Sequence, residues 1–319
     1  MPDPLLYLKA TATTAIVSVV LILTMAKSRR SPGETWLNSA CVLGIGFGLF
    51  AGYHVLSWRL AWPPSNGLDR LLTIVLPAAL GIELVAGFQS VPRWLAWLFR
   101  LSLAATASRI LLHDSVYLTG TDGRWALPQT ATVLLVSGVL LASLWSLLSW
   151  LSRRSPGVSI PFALGLTTQC AGVTVMMAGY IKGGAAAFPL TATLVAVSFA
   201  VWLVARQSET PAKFDTSPIV GIGVVGLFSL LFIGRFFGEL TTESTLAMLL
   251  APLLSWVTEI PLFRNRKPWI VGAARLTMVT IPLVVVLVAA KRDFDRDMAP
   301  LLVNRSAAGL ATLDTPDPN

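Results

Sequence analysis

Long apolar runs alternate with short polar segments along this chain. Each run has about 20 residues, which is enough for a helix to cross the roughly 30 Å hydrocarbon core of a bilayer. Segments rich in proline, glycine and serine separate the runs and predict turns between helices. The predicted spans, numbered first to tenth, are 5–26, 36–57, 69–87, 94–113, 128–151, 159–180, 188–205, 218–237, 244–262 and 270–290. The pattern predicts an all-α fold, a polytopic transmembrane bundle of about ten membrane-spanning helices.

The composition agrees with this pattern, because the chain has too few charges to cover a soluble surface. Of its 319 residues, 55% are hydrophobic and 13% are charged, and the mean hydropathy is +0.71. Soluble domains carry about 25% charged residues. We therefore expect a single transmembrane domain over residues 1–290. A short polar C-terminal tail over 291–319, partly disordered, would follow it.

The basic residues are distributed unequally between alternate loops. The loops after the odd-numbered spans hold about eleven lysines and arginines, and those after the even-numbered spans hold about four. By the positive-inside rule the first set is cytoplasmic, which places both termini outside. Lys291 and Arg292, which follow the tenth span on the outer side, oppose this assignment. We expect an integral protein of a bacterial cytoplasmic membrane. The net charge of +8 then reflects loop orientation and predicts no nucleic-acid partner.

Four charged residues lie well inside predicted spans at one depth. Glu83 is about five residues from the end of the third span, and Arg100 is about six residues into the fourth. An antiparallel hairpin would bring these two side chains together, and Glu259 and Arg275 repeat the arrangement in the ninth and tenth spans. The pairs would either lock their hairpins or line a polar cavity open to the cytoplasm. Gln169, near the middle of the sixth span, would either bond a neighbouring helix or lie on a substrate path.

A second group of polar residues lies at the other ends of the spans. Its members are His54, Arg109, His113, Asp114, Arg235 and Glu239. His54 and His113 are the only two histidines of the chain. Two imidazoles at similar depth could ligate a haem b, which is the one cofactor that the sequence suggests. The alternative is that they bind loops or lipid headgroups, and we expect neither a cofactor nor a metal.

Glycines on one face of the second span predict close helix packing. Gly44, Gly48 and Gly52 recur at every fourth position, so a neighbouring helix can approach without a layer of side chains between. A GxGxxG sequence at 221–226 lies inside an apolar run. A dinucleotide site requires this motif after a strand, so we interpret it as packing.

Two internal similarities indicate possible repeats. The segment 28–33 recurs at 152–157, and the third and fourth spans resemble the ninth and tenth in the order proline, glutamate, phenylalanine, tryptophan, arginine. The prolines of the second similarity, Pro77 and Pro252, and also Pro282, lie within spans and can kink their helices. The two similarities have different offsets, so no single tandem repeat explains both.

These features favour a small-solute permease of undetermined substrate. Their basis is the number of spans, the intramembrane charges, the kinked helices and the possible repeats. The alternative is a non-catalytic scaffold or subunit of a larger membrane complex, with a helix–helix partner at Gly44, Gly48 and Gly52. A bis-histidine haem protein is a lesser alternative. The sequence has no HExxH, GxSxG or Walker motif, so we expect no catalytic residues.

Overall fold

The structure is a computed structural model that describes residues 4–27, 34–58, 62–88, 90–118, 125–155, 157–207, 215–260 and 267–311. The described residues form helices and connecting turns, with no strand. Eight of their helices are long and apolar enough to cross a membrane. The chain is therefore an integral membrane protein built as a helical bundle, as predicted.

Ten helical segments correspond to the ten predicted spans. Eight are continuous: α1 (Pro4–Lys27), α2 (Glu34–Val55), α4 (Arg93–Leu112), α5 (Leu127–Arg154), α6 (Ser159–Met177), α7 (Ala187–Gln207), α8 (Ser217–Phe237) and α10 (Pro268–Ala311). A short helix, Ile181–Ala185, precedes α7. The other two segments, α3 (67–86) and α9 (242–259), are interrupted. We call the end of the bundle where α5 ends and α6 begins the basic end, and the other the opposite end.

Segment α3 changes its hydrogen-bond pattern before Pro77. It consists of α-helix Gly67–Arg70, π-helix Leu71–Val75 and α-helix Leu76–Ala86. Pro77 has no N–H to donate to the carbonyl four residues earlier. In the turn before Pro77, the backbone hydrogen bonds join residues five positions apart instead of four. The Leu76 N–H, for example, donates to the Leu71 carbonyl. The predicted disturbance at Pro77 is thus confirmed as a π turn.

Segment α9 changes its pitch at Pro252. It is α-helical over Thr242–Leu250 and 3₁₀-helical over Ala251–Glu259, with the proline in the first turn of the 3₁₀ part. Runs of 3₁₀ helix longer than three or four residues are uncommon. The two hairpins that resemble each other in sequence, α3–α4 and α9–α10, therefore both begin with an irregular helix.

The centre of the bundle is occupied by α8. Every residue from Ser217 to Gly234 is buried, and α8 packs against α2 to α7 and α9. Helices α1 and α10 lie at the periphery, where α1 packs on α2 and α7, and α10 packs on α6 and α9. A helix that is apolar on all sides is typical of this central position.

The glycines of α2 form the close contact that their spacing predicts. A Cβ atom at Gly48 would overlap Oγ of Ser18 on α1 and lie 3.3 Å from Oγ1 of Thr193 on α7. Gly44 and Gly52 also face α1. The neighbouring helices at these glycines are thus α1 and α7 of the same chain.

The last helix extends beyond its predicted end. The sequence analysis ends the tenth span at residue 290 and assigns a polar tail after it, whereas α10 continues to Ala311. The polar part of α10 contains an i,i+4 pair, Lys291 Nζ to Asp295 Oδ2 at 2.5 Å, of the kind that supports an exposed helix. Helix α10 also passes Pro282 without interruption. Residues 312–319 lie outside the described part.

Candidate functional site: a buried ion pair beside a basic cavity

Glu83 and Arg100 form the ion pair predicted between the third and fourth spans. Arg100 Nε donates to Glu83 Oε1 at 3.0 Å, and Nη2 donates to Oε2 at 2.7 Å. The exposed fractions of the two side chains are 0% and 4%. Two parallel bonds of this kind are the strongest arrangement of guanidinium and carboxylate. Removal of one partner of a buried pair typically costs about 3–5 kcal/mol, because the other charge remains buried.

Helices that are distant in sequence enclose this pair. The guanidinium carbon of Arg100 lies 5.1 Å from the ring centre of Trp97 and 5.8 Å from that of Trp145 on α5. Both rings are within the distance at which a cation is attracted to an aromatic face. A Cβ at Gly221 of α8 would overlap Oε1 of Glu83 and lie 2.8 Å from Nε1 of Trp145. The pair therefore fits only because α8 has no side chain at this position.

A polar cavity of about 230 Å³ lies beside Arg100 at the basic end. Its walls come from α3, α4, α5 and the residues before α8. We call it the basic-end cavity, and its lining residues are Ala86, Val91, Arg93, Ala96, Trp97, Arg100, Arg153 and Asp215.

The charges of the basic-end cavity are arranged from its mouth inward. Arg93 and Arg153 are exposed, whereas Arg100 is buried. The one carboxylate of the lining is Asp215, whose Oδ1 accepts from the Ser217 N–H at 2.9 Å, at the start of α8. This carboxylate therefore also accepts a hydrogen bond from one of the free N–H groups at the N-terminus of α8. Because Glu83 neutralises Arg100 and the Asp215 carboxylate offsets one of the two exposed arginines, the cavity retains an excess of one positive charge.

The second predicted pair, Glu259 and Arg275, is also confirmed, but it has more partners. Arg275 Nη2 donates to Glu259 Oε1 at 3.0 Å and to Ser155 Oγ at 2.7 Å. Its Nε donates to Thr258 Oγ1 at 2.7 Å, and its Nη1 donates to Ser159 Oγ at 3.0 Å. Arg275 of α10 thus holds α9 and the α5–α6 turn against α10, which is a structural role.

The basic-end cavity is lined by a member of only one of the two pairs. Of the five residues predicted on a substrate path, only Arg100 lines the basic-end cavity, with Glu83 directly behind it. Glu259 and Arg275 belong to the α9–α10 hairpin, and Gln169 lies half-buried on α6, outside the lining of this cavity. The contributions of Trp145, Asp215 and Gly221 were not predicted. Asp215 had one sequence signal, an acidic residue three positions before the proline at a helix start.

At the opposite end, Arg70 organises a smaller polar group. Its Nη2 lies 2.9 Å from Asp114 Oδ2, and its Nη1 donates to the carbonyl of His113. This ties the start of α3 to the end of α4.

The two histidines lie on different helices of this end. His113 Nδ1 is 2.7 Å from Asp114 Oδ2, and His54 is exposed, with its ring centre 6.3 Å from that of Phe50. His54 belongs to α2, which packs mainly on α1, α7 and α3, whereas His113 follows α4, which packs mainly on α5 and α3. Among the described residues, no group of three or more histidine, cysteine, aspartate or glutamate side chains could hold a metal ion.

The comparisons with known proteins add no family assignment. No protein-family model matches this chain, and no curated protein matches it.

Proposed function

We propose that this protein is a permease for a small anionic solute, which it binds in the basic-end cavity against Arg100. The observation that supports this proposal is a cavity with two exposed arginines at its mouth and a buried arginine at its inner wall. A cleft that is lined by basic residues and has walls of low dielectric constant concentrates anions and raises their rate of association. We infer from the loop charges that this end faces the cytoplasm.

The geometry of Arg100 favours a carboxylate or phosphate as the ligand group. Its guanidinium already binds a carboxylate through two parallel bonds, and a solute with the same pair of oxygens competes for the same donors. A volume of about 230 Å³ suits a small solute such as phosphate or a short carboxylate. Trp97 and Ala96 provide an apolar wall for its non-ionic part.

Exchange of Glu83 for the solute would link binding to a movement of α3. Glu83 lies in the α-helical part of α3 that follows the π turn, so the segment Leu76–Ala86 is attached through an irregular joint. Displaced from Arg100, the Glu83 carboxylate would lose its compensating charge and favour either protonation or movement towards water. Binding of an anion would thus release α3 from α4.

The proposal is tested by uptake into liposomes that contain the purified protein. The solutes are inorganic phosphate, acetate, lactate and succinate, with glucose and choline as neutral and cationic references. We expect at least one anion to accumulate, and neither reference. The double variant Glu83→Gln/Arg100→Gln removes both charges together, so neither is left unpaired, and it should lose uptake by at least tenfold.

The matched control is the corresponding double variant of the other hairpin, Glu259→Gln/Arg275→Gln, which also removes both charges of a pair together. It should retain uptake within about threefold. Accumulation of none of the four anions, or equal uptake by the double variant and the wild type, would overturn the proposal. Circular dichroism and thermal unfolding in detergent establish that each variant is folded.

A further inference from the structure

Helices α5 and α9 touch at the basic end and separate towards the opposite end. At the basic end the ring centres of Trp150 and Trp256 are 5.2 Å apart, and Arg154 Nε lies 3.5 Å from Glu259 Oε2. Towards the opposite end, a cleft of about 440 Å³ lies between the first half of α5 and the α-helical part of α9. We call it the lateral cleft. Its floor is the central helix α8.

The lateral cleft runs from the lipid-facing surface to the core of the bundle. Val136, on its rim, is 58% exposed, whereas Phe228 and Leu231 on its floor are buried. Most of its lining is aliphatic or aromatic. The hydroxyl of Ser137 on its wall donates to the Val133 carbonyl of its own helix at 2.7 Å. The interior therefore suits a hydrocarbon chain, and its volume lies within the roughly 300–1,000 Å³ range of ligand clefts.

One cation lies at the mouth of this apolar cleft. Arg235, exposed near the end of α8, lines the cleft, and its Nε donates to Thr242 Oγ1 at 2.8 Å. Within the described part of the chain, Arg235 has no carboxylate within salt-bridge distance. Trp125 lies beside it, with its ring centre 5.4 Å from that of Phe236, at the depth where aromatic residues mark the membrane interface.

From these features we propose that the lateral cleft binds a glycerophospholipid from the surrounding leaflet. One acyl chain lies against Phe228 and Leu231, and the phosphate is bound by Arg235 at the mouth. Charge complementarity supports this occupant, because a phosphate supplies the anion that Arg235 lacks and a charge-assisted bond is about twice as strong as a neutral one. An empty cleft would deprive the aromatic floor of its contacts.

Native mass spectrometry of the purified full-length protein with added phosphatidylglycerol tests this site. We expect the wild type to retain one phosphatidylglycerol molecule that Val136→Phe, which fills the cleft, does not retain. Arg235→Gln should weaken retention roughly tenfold, as loss of one charge-assisted bond predicts. The proposal concerns a site separate from the basic-end cavity and does not depend on transport.

Two matched variants separate this site from general lipid adhesion. Val139→Phe adds the same ring to the same helix at a position that is 57% exposed but outside the lateral cleft. Arg109→Gln removes another exposed arginine of the opposite end, on α4. Both should retain the lipid as the wild type does. Equal retention by Val136→Phe and the wild type, or equal losses in Arg109→Gln and Arg235→Gln, would overturn the proposal.

Discussion

At the scale of single residues, the site depends on the absence of a side chain at Gly221 of α8 as much as on the charges of Glu83 and Arg100. The Glu83 carboxylate lies directly against the backbone of this helix at Gly221. Any larger side chain there would press on the carboxylate and on the Trp145 indole. By contrast, Gly81 of α3 is exposed, and a Cβ there would meet no atom within 4 Å. The two glycines therefore offer a direct comparison.

We expect Gly221→Ala to lower the free energy of unfolding by about 1–3 kcal/mol, the usual cost of overpacking a filled core. Gly81→Ala should change it by less than about 1 kcal/mol, because the added methyl has space and alanine favours a helix. Denaturant unfolding in mixed micelles, followed by circular dichroism, measures both. Equal stability of the two variants would contradict the packing described here.

The ion pairs could be predicted from the sequence, whereas their surroundings could not. Glu83 and Arg100 lie on helices joined by a short turn, so helical rise and antiparallel packing are enough to bring them together. The contacts with Trp145 and Gly221 depend on which distant helices are neighbours. Apolar spans in lipid carry little information about neighbours, because most of their surfaces are alike. For this reason the motif at 221–226 indicated close packing but not its partner.

At the scale of elements, the irregular helix α3 is the part that the proposed function requires to move. Its π turn precedes Pro77, and Glu83 lies less than two turns beyond that proline. Interruptions of this kind are frequent at functional sites. Helix α10 contains Pro282 and nevertheless has no break, so a proline alone does not produce one.

Replacement of Pro77 should impair transport of the anion without impairing its binding. In Pro77→Ala the new N–H can donate to the Thr73 carbonyl, so α3 can become a continuous α-helix. We expect anion uptake to fall at least fivefold, while the transported anion still raises the unfolding temperature as in the wild type. Pro282→Ala, in the continuous helix α10, should leave uptake within about twofold. Loss of both the uptake and the thermal shift in Pro77→Ala would show that α3 shapes the binding site itself.

The sequence predicted where the helical segments lie, but it did not predict which of them change from one helix type to another. All ten predicted spans correspond to helical segments, since runs of about 20 apolar residues have few alternatives in a bilayer. Pro77 and Pro252 marked two places of disturbance, but hydropathy does not distinguish a π turn from a 3₁₀ segment. The continuation of α10 beyond residue 290 was missed because its polar residues favour a helix that hydropathy does not detect.

At the scale of the whole molecule, the bundle is built around α8, and the basic-end cavity and the lateral cleft open on different sides of it. The basic-end cavity contains arginines and lies at the end that we expect to face the cytoplasm. The lateral cleft is apolar and opens between α5 and α9. The account predicts that only the first attracts anions from water. This claim joins the orientation of the chain to the proposed function.

A cysteine in the basic-end cavity tests both parts of the claim. Ala86→Cys lies in the lining and half-buried, in a background where Cys41 and Cys170 are replaced by alanine. Ala126→Cys, exposed at the opposite end before α5, is the matched control. The measurement is the rate of modification by an anionic and by a cationic methanethiosulfonate, in inside-out and in right-side-out membrane vesicles.

We predict that Ala86→Cys reacts in inside-out vesicles. Its ratio of anionic to cationic rates should be roughly tenfold higher than that of Ala126→Cys, because the arginines concentrate anions. Ala126→Cys should react in right-side-out vesicles. Reaction of Ala86→Cys only from the outer face would contradict the predicted orientation. A ratio equal to or lower than that of Ala126→Cys would contradict the anion site.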